Sequence, residues 1–306
     1  IDRYVEDIAK RIGPIHRADG SRLRVVYDCG NGAGALVAPQ LMRALDVDAI
    51  GLFTESDGTF PNHHPDPTVP ENLADCIAAV HANDAELGVA FDGDADRIGV
   101  VDRDGRIIWG DHVLILYARD VLARTGKGQP IIFDVKCSQA LTHGIEQAGG
   151  VAVMWKTGHS LIKEKMKETH APIAGEMSGH MFFTEGFYGH DDALYAAARL
   201  MRIIADSGKR IDELLADVPP FVSTPELRID TDESAKFAIV ERAIEQHSMP
   251  GETVFDPFGG IMTVPYCALR MGRKARATEL NPDYFTDGAV YCDLAAGGGQ
   301  GPTLFD

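Results

Sequence analysis

The stretch Leu87-Gly-Val-Ala-Phe-Asp-Gly-Asp-Ala-Asp-Arg97 joins a run of uncharged, mainly apolar residues to a loop of alternating acids. The run Leu87–Phe91 is typical of a strand that is buried on both faces. Strands of this kind lie inside parallel sheets, whose ligand-binding loops follow the carboxyl ends of the strands. The stretch therefore predicts an α/β fold with a binding loop at residues 92–96.

The acidic loop has the composition of a site for a hard cation. Asp92, Asp94 and Asp96 alternate with two small residues, so three carboxylates can turn towards one ion. Mg2+ suits a site of a few carboxylates that a substrate phosphate completes. A solvated acidic turn is the alternative. An EF-hand is excluded, because Arg97 and Arg103 occupy the positions where that loop needs Gly and Glu.

The pattern around this stretch repeats along the chain. Short apolar runs alternate with helical segments of about 10–15 residues, which predicts mainly parallel sheets with helices on both faces. This alternation of strands and helices starts again near Asp104. The sequence therefore predicts two successive three-layer α/β domains, residues 1–104 and 105–216. Residues 217–242 would form the start of a further domain or a junction, and residues 243–306 a short C-terminal βαβ segment.

Composition limits the classes of function. The chain has 306 residues and a formal net charge of -17, whereas a general nucleic-acid binder needs a basic face. No apolar run reaches the roughly 18 residues of a membrane helix, and the N-terminal segment has no apolar signal core. The five cysteines lie far apart without a CxxC pair, as in reduced cytosolic proteins. We therefore expect a cytoplasmic monomer that binds neither membrane nor nucleic acid.

A glycine-rich turn after the first predicted strand leaves another class of function open. The stretch Gly30-Asn-Gly-Ala-Gly-Ala35 fits the loose fingerprint of a dinucleotide site, with Asp48 or Glu55 as the ribose acceptor. A lone fingerprint is weak evidence, because a tight strand-to-helix turn needs glycines equally. We therefore favour the turn over a dinucleotide-binding enzyme.

Four stretches, in the same order, resemble the α-D-phosphohexomutases, the phosphomannomutase/phosphoglucomutase group. The acidic loop resembles the metal loop of that family, and Gly175-Glu-Met-Ser-Gly-His180 resembles its sugar-binding loop. Residues 26–34 resemble the opening turn of its second domain, and residues 60–67 resemble a loop on its ligand side. The resemblance covers about residues 1–240. It implies Mg2+-dependent interconversion of hexose 1-phosphate and hexose 6-phosphate, with glucose 1,6-bisphosphate as activator.

The resemblance also implies roles for single residues. A carboxylate and a hydroxyl can bond adjacent sugar hydroxyls, which is the role implied for Glu176 and Ser178. Lys136 and His159 match positions near the reacting hydroxyl, where phosphoryl transfer depends on positioning and electrostatics. The implied residues are Asp92, Asp94 and Asp96 for the metal, Lys136, His159 and Arg97 for catalysis, and Glu176, Ser178 and His180 for the substrate.

Three histidines are interpreted as residues that shape loops. His63, His64 and His180 have no second nitrogen or thiolate near them at a spacing typical of metal sites. We therefore do not expect them to bind a metal.

Two motifs of the family do not occur in this sequence. One is the Thr/Ser-Ala-Ser-His-Asn-Pro loop, whose serine shuttles the phosphate, and the other is the cationic loop that holds the non-reacting phosphate. Residues 221–230 do resemble the start of the fourth domain. We therefore expect this chain alone not to turn over hexose phosphates. A non-catalytic protein that binds sugar phosphates is an alternative.

The last part of the sequence resembles the C-terminus of a DNA amino-methyltransferase. Residues 251–263 and 275–285 give the order strand, tight glycine turn, helix and strand ending in an acid. The resemblance implies that a fused or chimeric chain carries a fragment of such an enzyme. The implied S-adenosylmethionine site consists of Asp256, Phe258, Gly260 and Glu279.

Two features count against methylation by this segment. The catalytic Asp/Asn-Pro-Pro-aromatic tetrapeptide does not occur, and Met262 stands where a small residue is usual. An ordinary βαβ turn of the fourth mutase domain is the alternative. We place the junction between the two resemblances at residues 237–242.

Overall fold

The computed structural model describes residues 1–219, 235–257, 259–279 and 282–297. It divides the chain into two compact units, Ile1–Ser223 and Thr224–Asp306. None of the helices in these described ranges is long and apolar enough to span a bilayer.

The first sheet has the strand order β2-β1-β3-β4-β5. Strand β1 (Arg24–Asp28) pairs in parallel with β2 (Asp48–Leu52) and with β3 (Leu87–Phe91). Strand β4 (Ile98–Asp102) is antiparallel to β3, and β5 (Ile107–Ile108) is antiparallel to β4. Every residue of β3 and β4 is buried, which is the position that the apolar run predicts for β3.

The second sheet repeats this arrangement in the order β7-β6-β8-β9. Strand β6 (Pro130–Asp134) pairs in parallel with β7 (Val151–Trp155) and with β8 (Ile173–Gly175). Strand β9 (Met181–Phe183) is antiparallel to β8. In both sheets the first strand lies between the second and the third. The carboxyl ends of β1 and β3 therefore correspond to those of β6 and β8.

The antiparallel pairs have a simple cause. A parallel connection needs about a dozen residues or more, whereas β3 is followed by β4 after residues 92–97, and β8 by β9 after residues 176–180. The chain can only turn back on itself over such distances. These two turns are the predicted metal loop and the predicted sugar loop, so each connects the ends of two antiparallel neighbours.

Helices cover both faces of the first sheet. On one face, Cys76 and Val80 of α3 (Ala74–Ala82) pack against Val26 and Val101. This confirms the predicted three-layer order.

The second sheet has an equivalent helix. Ile162 and Met166 of α6 (His159–Thr169) pack against Ile132 and Phe182. The opposite faces of both sheets share one continuous core. The helices that contribute buried residues to this core are α1 (Asp2–Ile12), α2 (Ala38–Ala44), α4 (Gly110–Thr125), α5 (Gln139–Gln147), α7 (Ala193–Ser207) and α8 (Ile211–Leu214), together with the 3₁₀ helix Ala33–Leu36. The first unit also contains the 3₁₀ helix Pro70–Leu73.

The second unit contains the predicted βαβ segment. Strands β10 (Thr253–Asp256) and β11 (Lys274–Ala277) are parallel and are connected by α10 (Thr263–Arg270). Helices α9 (Lys236–His247) and α11 (Pro282–Gly297) flank them, and a small core forms around Ile244, Tyr266, Cys267 and Ala268.

The predicted junction at residues 237–242 falls inside α9. The stretch 221–230, which resembles the start of a fourth mutase domain, lies outside the described residues. The domain boundaries at residues 104, 216 and 242 stay predictions.

A buried arginine ties α4 and α7 together inside the first unit. Arg199 is 2% exposed, and its Nη2 donates to Asp120 Oδ2 at 2.8 Å and to Glu185 Oε2 at 2.9 Å. Its Nη1 donates to the Tyr195 hydroxyl at 2.9 Å. Burial acts to lower the pKa of Arg199, but Tyr195 and Asp120 together raise it above its ordinary value. The guanidinium is therefore a charged structural element.

We expect Arg199→Ala to lower the free energy of unfolding of this unit by about 3–5 kcal/mol, because it leaves two carboxylates without their buried partner. Urea unfolding followed by circular dichroism measures the loss. Arg124→Ala is the matched control, because Arg124 contacts the same Asp120 with a side chain that is 45% exposed. An exposed pair of this kind contributes at most about 1 kcal/mol. Equal losses in the two variants would contradict the prediction.

Candidate functional site

Asp92 organises the acidic loop that follows β3. Asp92 is 2% exposed, and its Oδ1 accepts hydrogen bonds from the backbone N–H groups of Asp96 and Arg97, both at 3.0 Å. Its Oδ2 accepts from Arg97 Nε at 2.6 Å. Ala95 has a φ of 65°, in the left-handed region that residues with a Cβ adopt rarely. One buried carboxylate thus fixes a tight and strained loop.

The three loop carboxylates come close together. Asp92, Asp94 and Asp96 each offer one oxygen, and these oxygens lie within 4.8 Å of one another. Burial raises the pKa of Asp96 to about 6, with His180 acting in the opposite direction and Asp92 and Asp94 adding to the rise. A bound cation would reduce the repulsion between these carboxylates and favour their ionised forms. The residues present therefore fit Mg2+.

The glycine-rich turn after β1 packs directly on this loop. The backbone N–H of Ala33 donates to the carbonyl of Gly93 at 2.8 Å. A Cβ on Gly32 would lie 2.7 Å from the same carbonyl oxygen. The close approach of two loops therefore explains the glycine that also fits a dinucleotide fingerprint.

The acidic loop and the predicted sugar loop are joined backbone to backbone. The N–H of Ile98 donates to the carbonyl of Gly179 at 3.1 Å, and Arg97 forms an antiparallel bridge with His180. Gly179 has a φ of 99°, and a Cβ there would lie 2.5 Å from the carbonyl oxygen of Ile98. Two loops that belong to different sheets thus form one site.

The start of α7 contacts the acidic loop as well. The N–H of Ala193 donates to the carbonyl of Ala95 at 3.2 Å. Asp192 caps this helix by accepting from the N–H of Tyr195 at 2.8 Å. The hydroxyl of Tyr4, on α1, donates to Asp192 at 2.7 Å. Both faces of the acidic loop are therefore supported by other elements.

Asp134, at the end of β6, holds three loops of the second sheet together. Asp134 is 1% exposed. Its Oδ1 accepts from the N–H of Met177 at 3.0 Å and from Cys137 Sγ at 3.1 Å, and its Oδ2 accepts from Thr157 Oγ1 at 3.0 Å. No role for this residue was predicted from the sequence. Its position as the last residue of the central strand is the signal that could have identified it.

The sugar loop is compact around Glu176. The side chain is 3% exposed, and Oε1 accepts from the N–H of Gly158 at 2.6 Å. The backbone N–H of Glu176 donates to the carbonyl of His180 at 2.9 Å. Ser178, between them, is half-buried. The hydrogen bond from Gly158 thus orients the Glu176 carboxylate, which is predicted to bind the sugar.

The structure places the predicted catalytic residues on neighbouring loops. Lys136 is exposed on the turn after β6. His159 begins α6, its side chain is 56% exposed, and its Nδ1 lies 3.4 Å from Asp191 Oδ2. The rings of His159 and His180 are stacked with their centroids 6.0 Å apart. Asp191, for which the sequence predicts no role, contacts both histidines.

The pKa values of His180 and Asp191 are shifted by their contact with each other and with neighbouring charges. Burial acts to lower the pKa of His180, but Asp191 and Asp96 together raise it above its ordinary value. Burial acts to raise the pKa of Asp191, and His180 and Lys163 lower it well below its ordinary range. His180, interpreted from the sequence as a residue that shapes its loop, therefore forms ion pairs with two carboxylates, those of Asp96 and Asp191.

The predicted S-adenosylmethionine residues fall in the second unit. Asp256 ends β10, and the N–H of Gly260 donates to Glu279 Oε2 at 2.7 Å. Met262 is 5% exposed, and a Cβ on Gly259 would lie 2.7 Å from its sulfur. Phe258 lies outside the described residues. The N–H of Gly260 thus contacts Glu279, and a buried methionine fills the space beside the turn; the S-adenosylmethionine site stays a prediction.

Comparison with known proteins identifies the first unit. Residues 2–105 match the family model of phosphoglucomutase/phosphomannomutase alpha/beta/alpha domain II, and residues 109–221 match that of domain III. A phosphomannomutase/phosphoglucomutase of Pseudomonas putida is 50% identical over 261 residues, which are 85% of this chain and 55% of the relative.

Solved structures agree with this result. A phosphoglucomutase/phosphomannomutase family protein from Burkholderia thailandensis has a TM-score of 0.69 at 49% identity, covering 79% of this chain and 50% of that one. N-acetylphosphoglucosamine mutase of Aspergillus fumigatus, in complex with GlcNAc-6P and magnesium, has a TM-score of 0.54 at 18% identity, covering 70% of this chain and 52% of that one. At that identity it shows a shared fold.

The chain spans about half the length of the Pseudomonas relative, 55% of it. The matched ranges contain all four stretches that resemble the phosphohexomutases. These matches give no support to the methyltransferase resemblance of residues 243–306. The chain belongs to the phosphoglucomutase/phosphomannomutase family, of which its first unit contains domains II and III.

Proposed function

We propose that this protein supplies the metal-binding and sugar-binding part of an Mg2+-dependent phosphohexomutase. The reaction is the interconversion of hexose 1-phosphate and hexose 6-phosphate, with glucose 1,6-bisphosphate as activator. The observation that carries the proposal is the backbone contact between Ile98 and Gly179, at 3.1 Å, which brings the acidic loop to the sugar loop. The names of the relatives support the same reaction.

The acidic loop is suited to the phosphate end of the substrate. Mg2+ bound by Asp92, Asp94 and Asp96 would neutralise charge on a phosphoryl group. The Arg97 guanidinium is held by Asp92 on one side and by Asp66 Oδ1, 3.1 Å from its Nη1, on the other. Because its orientation is fixed before a ligand arrives, little ordering is needed for it to contact a phosphate.

The sugar loop is suited to binding the hydroxyl groups of the hexose. Glu176 accepts hydrogen bonds from adjacent hydroxyls, and Ser178 can donate as well as accept. Lys136, His159 and His180 supply positive charge or proton transfer near the reacting hydroxyl. Glucose and mannose present the same O3 and O4, so contacts with these two hydroxyls do not distinguish the two hexose phosphates.

Two alternatives lead to different expectations. A non-catalytic protein would bind sugar phosphates through the same contacts but would not interconvert them. S-adenosylmethionine binding by the second unit has support from the βαβ order and from the contact between Gly260 and Glu279. That contact occupies Glu279 Oε2, which would otherwise accept from the ribose hydroxyls. Because Met262 also fills the space beside the turn, we do not adopt S-adenosylmethionine binding as the function.

We expect the 306-residue chain, assayed by itself, to convert no glucose 1-phosphate to glucose 6-phosphate. The reaction needs a serine that donates and recovers a phosphoryl group, and the sequence has no Thr/Ser-Ala-Ser-His-Asn-Pro loop to provide one. Positioning lowers a barrier only when the reacting groups are present. A coupled assay with glucose 1,6-bisphosphate and Mg2+ measures this. Turnover above background that Asp94→Asn abolishes would contradict it.

We expect Asp94→Asn to weaken Mg2+ binding by about tenfold or more, because affinity depends on the number of charged ligands. Asp94 is exposed, so the substitution leaves the buried contacts of the loop in place. Isothermal titration calorimetry measures the change. Asp84→Asn is the matched control, since Asp84 is 75% exposed and pairs with Arg103 outside the loop. Identical binding in the wild type and Asp94→Asn would exclude the acidic loop as the Mg2+ site.

We expect Glu176→Ala to weaken glucose 1-phosphate binding by about 1–3 kcal/mol, the range for loss of a charged hydrogen-bond partner. Calorimetry in the presence of Mg2+ measures the affinity. Glu176→Gln is the matched control, because its carbonyl can still accept from the N–H of Gly158 while the charge is removed. The expected order of affinity is wild type, then Gln, then Ala. Unchanged binding in Glu176→Ala would remove Glu176 from the sugar site.

A further inference from the structure

A closed ring of hydrogen bonds joins two loops at the carboxyl end of β6. Asp134 Oδ2 accepts from Thr157 Oγ1 at 3.0 Å. The N–H of the next residue, Gly158, donates to Glu176 Oε1 at 2.6 Å. The N–H of Met177, directly after Glu176, donates to Asp134 Oδ1 at 3.0 Å. The ring therefore begins and ends on the Asp134 carboxylate and includes the carboxylate that is predicted to bind the sugar.

Two predicted catalytic residues lie next to members of this ring. His159 directly follows Gly158 and begins α6. Lys136 directly precedes Cys137, whose Sγ donates to Asp134 Oδ1 at 3.1 Å. The three loops that carry the groups predicted to contact the hexose in the second sheet are therefore held by one carboxylate.

Asp134 is suited to holding loops in place. It is 1% exposed and ends β6, which is paired on both sides, with β7 and with β8. An ionised carboxylate only accepts hydrogen bonds and can accept several of them. Bonds to a charged acceptor are about twice as strong as neutral ones. The donors around Asp134 are therefore held firmly against a central strand of the sheet.

The first sheet has the same arrangement at the corresponding position. Asp28 ends β1, the strand that corresponds to β6, and is fully buried. Its Oδ1 accepts from the N–H of Gly30 at 2.8 Å, and its Oδ2 lies 3.1 Å from His63 Nε2. Gly30 and His63 belong to two different loops. A buried carboxylate at the end of this strand thus joins loops in both sheets.

We propose that Asp134 is a positioning residue of the sugar site and acts through the Glu176 carboxylate. The inference rests on the proposed function and adds a residue that is itself too deeply buried to contact a hexose. Hydrogen bonds to sugar hydroxyls depend on the direction of the acceptor. A carboxylate that is already fixed loses little conformational freedom when the ligand binds. Part of the affinity for the hexose therefore comes from Asp134.

The test is a double-mutant cycle on the whole chain, in which calorimetry with Mg2+ present measures glucose 1-phosphate binding. We expect Asp134→Asn to weaken this binding by about three- to tenfold, the effect of impairing a hydrogen bond. The affinity for Mg2+ should not change, because the acidic loop belongs to the other sheet. In the Glu176→Ala background, Asp134→Asn should have no further effect on glucose 1-phosphate binding, because residues that act through one another are not additive.

Asp102→Asn is the matched control. Asp102 is 3% exposed, and its Oδ1 accepts from the N–H groups of Asp104 and Arg106, both at 2.9 Å. It is thus an equally buried carboxylate that holds a different turn, the one between β4 and β5. We expect Asp102→Asn to leave glucose 1-phosphate binding unchanged.

A second pair of variants tests the ring from its other side. Thr157→Val removes the hydroxyl that donates to Asp134, and Thr157→Ser keeps it. We expect Thr157→Val to weaken glucose 1-phosphate binding and Thr157→Ser to bind like the wild type. Thermal unfolding checks the fold of each variant, and this pair decides the result if Asp134→Asn is unfolded.

Two results would overturn the inference and leave the proposed function intact. One is wild-type affinity for glucose 1-phosphate in folded Asp134→Asn and Thr157→Val, while Glu176→Ala binds weakly. The other is an equal loss of affinity from Asp134→Asn with and without the Glu176 side chain, which would mean an effect independent of Glu176. Absence of binding by the wild type would instead overturn the proposed function, and this inference with it.

Discussion

One backbone hydrogen bond, from the N–H of Ile98 to the carbonyl of Gly179, joins the two halves of the candidate site at 3.1 Å. Each loop connects antiparallel neighbours and therefore turns back at the end of its strands, beyond the paired residues of the sheet. Only glycine fits, since a Cβ at position 179 would meet the carbonyl oxygen of Ile98 at 2.5 Å. The relative position of the acidic loop and the sugar loop depends on this contact.

Buried carboxylates at strand ends are the second organising feature. A buried charge is tolerated only when hydrogen bonds satisfy it. Asp92 and Asp134 meet this requirement through N–H groups of the loops around them. Asp28, at the end of β1, does the same with the N–H of Gly30 at 2.8 Å. Each loop conformation is thereby coupled to the strand that precedes the loop.

Asp96 has a special place in this arrangement, because it faces two sets of partners. On one side it completes the carboxylates of the acidic loop, and on the other it faces His180 at 3.4 Å. Burial and neighbouring charge raise its pKa to about 6. A cation bound by the acidic loop would stabilise its ionised form. The electrostatics of the sugar loop and of the acidic loop are therefore not independent.

The sequence by itself determined the elements whose cause is local. An apolar run fixed β3, alternating acids fixed the acidic loop, and four motifs indicated the family; the βαβ order near the C-terminus was likewise predicted. Only the tertiary structure decided which side chains meet. Asp96 and Asp191, which lie on other loops, each approach His180 Nδ1 to 3.4 Å. Local patterns specify strands and turns, whereas contacts between distant loops depend on how two sheets pack, and no spacing along the chain records that.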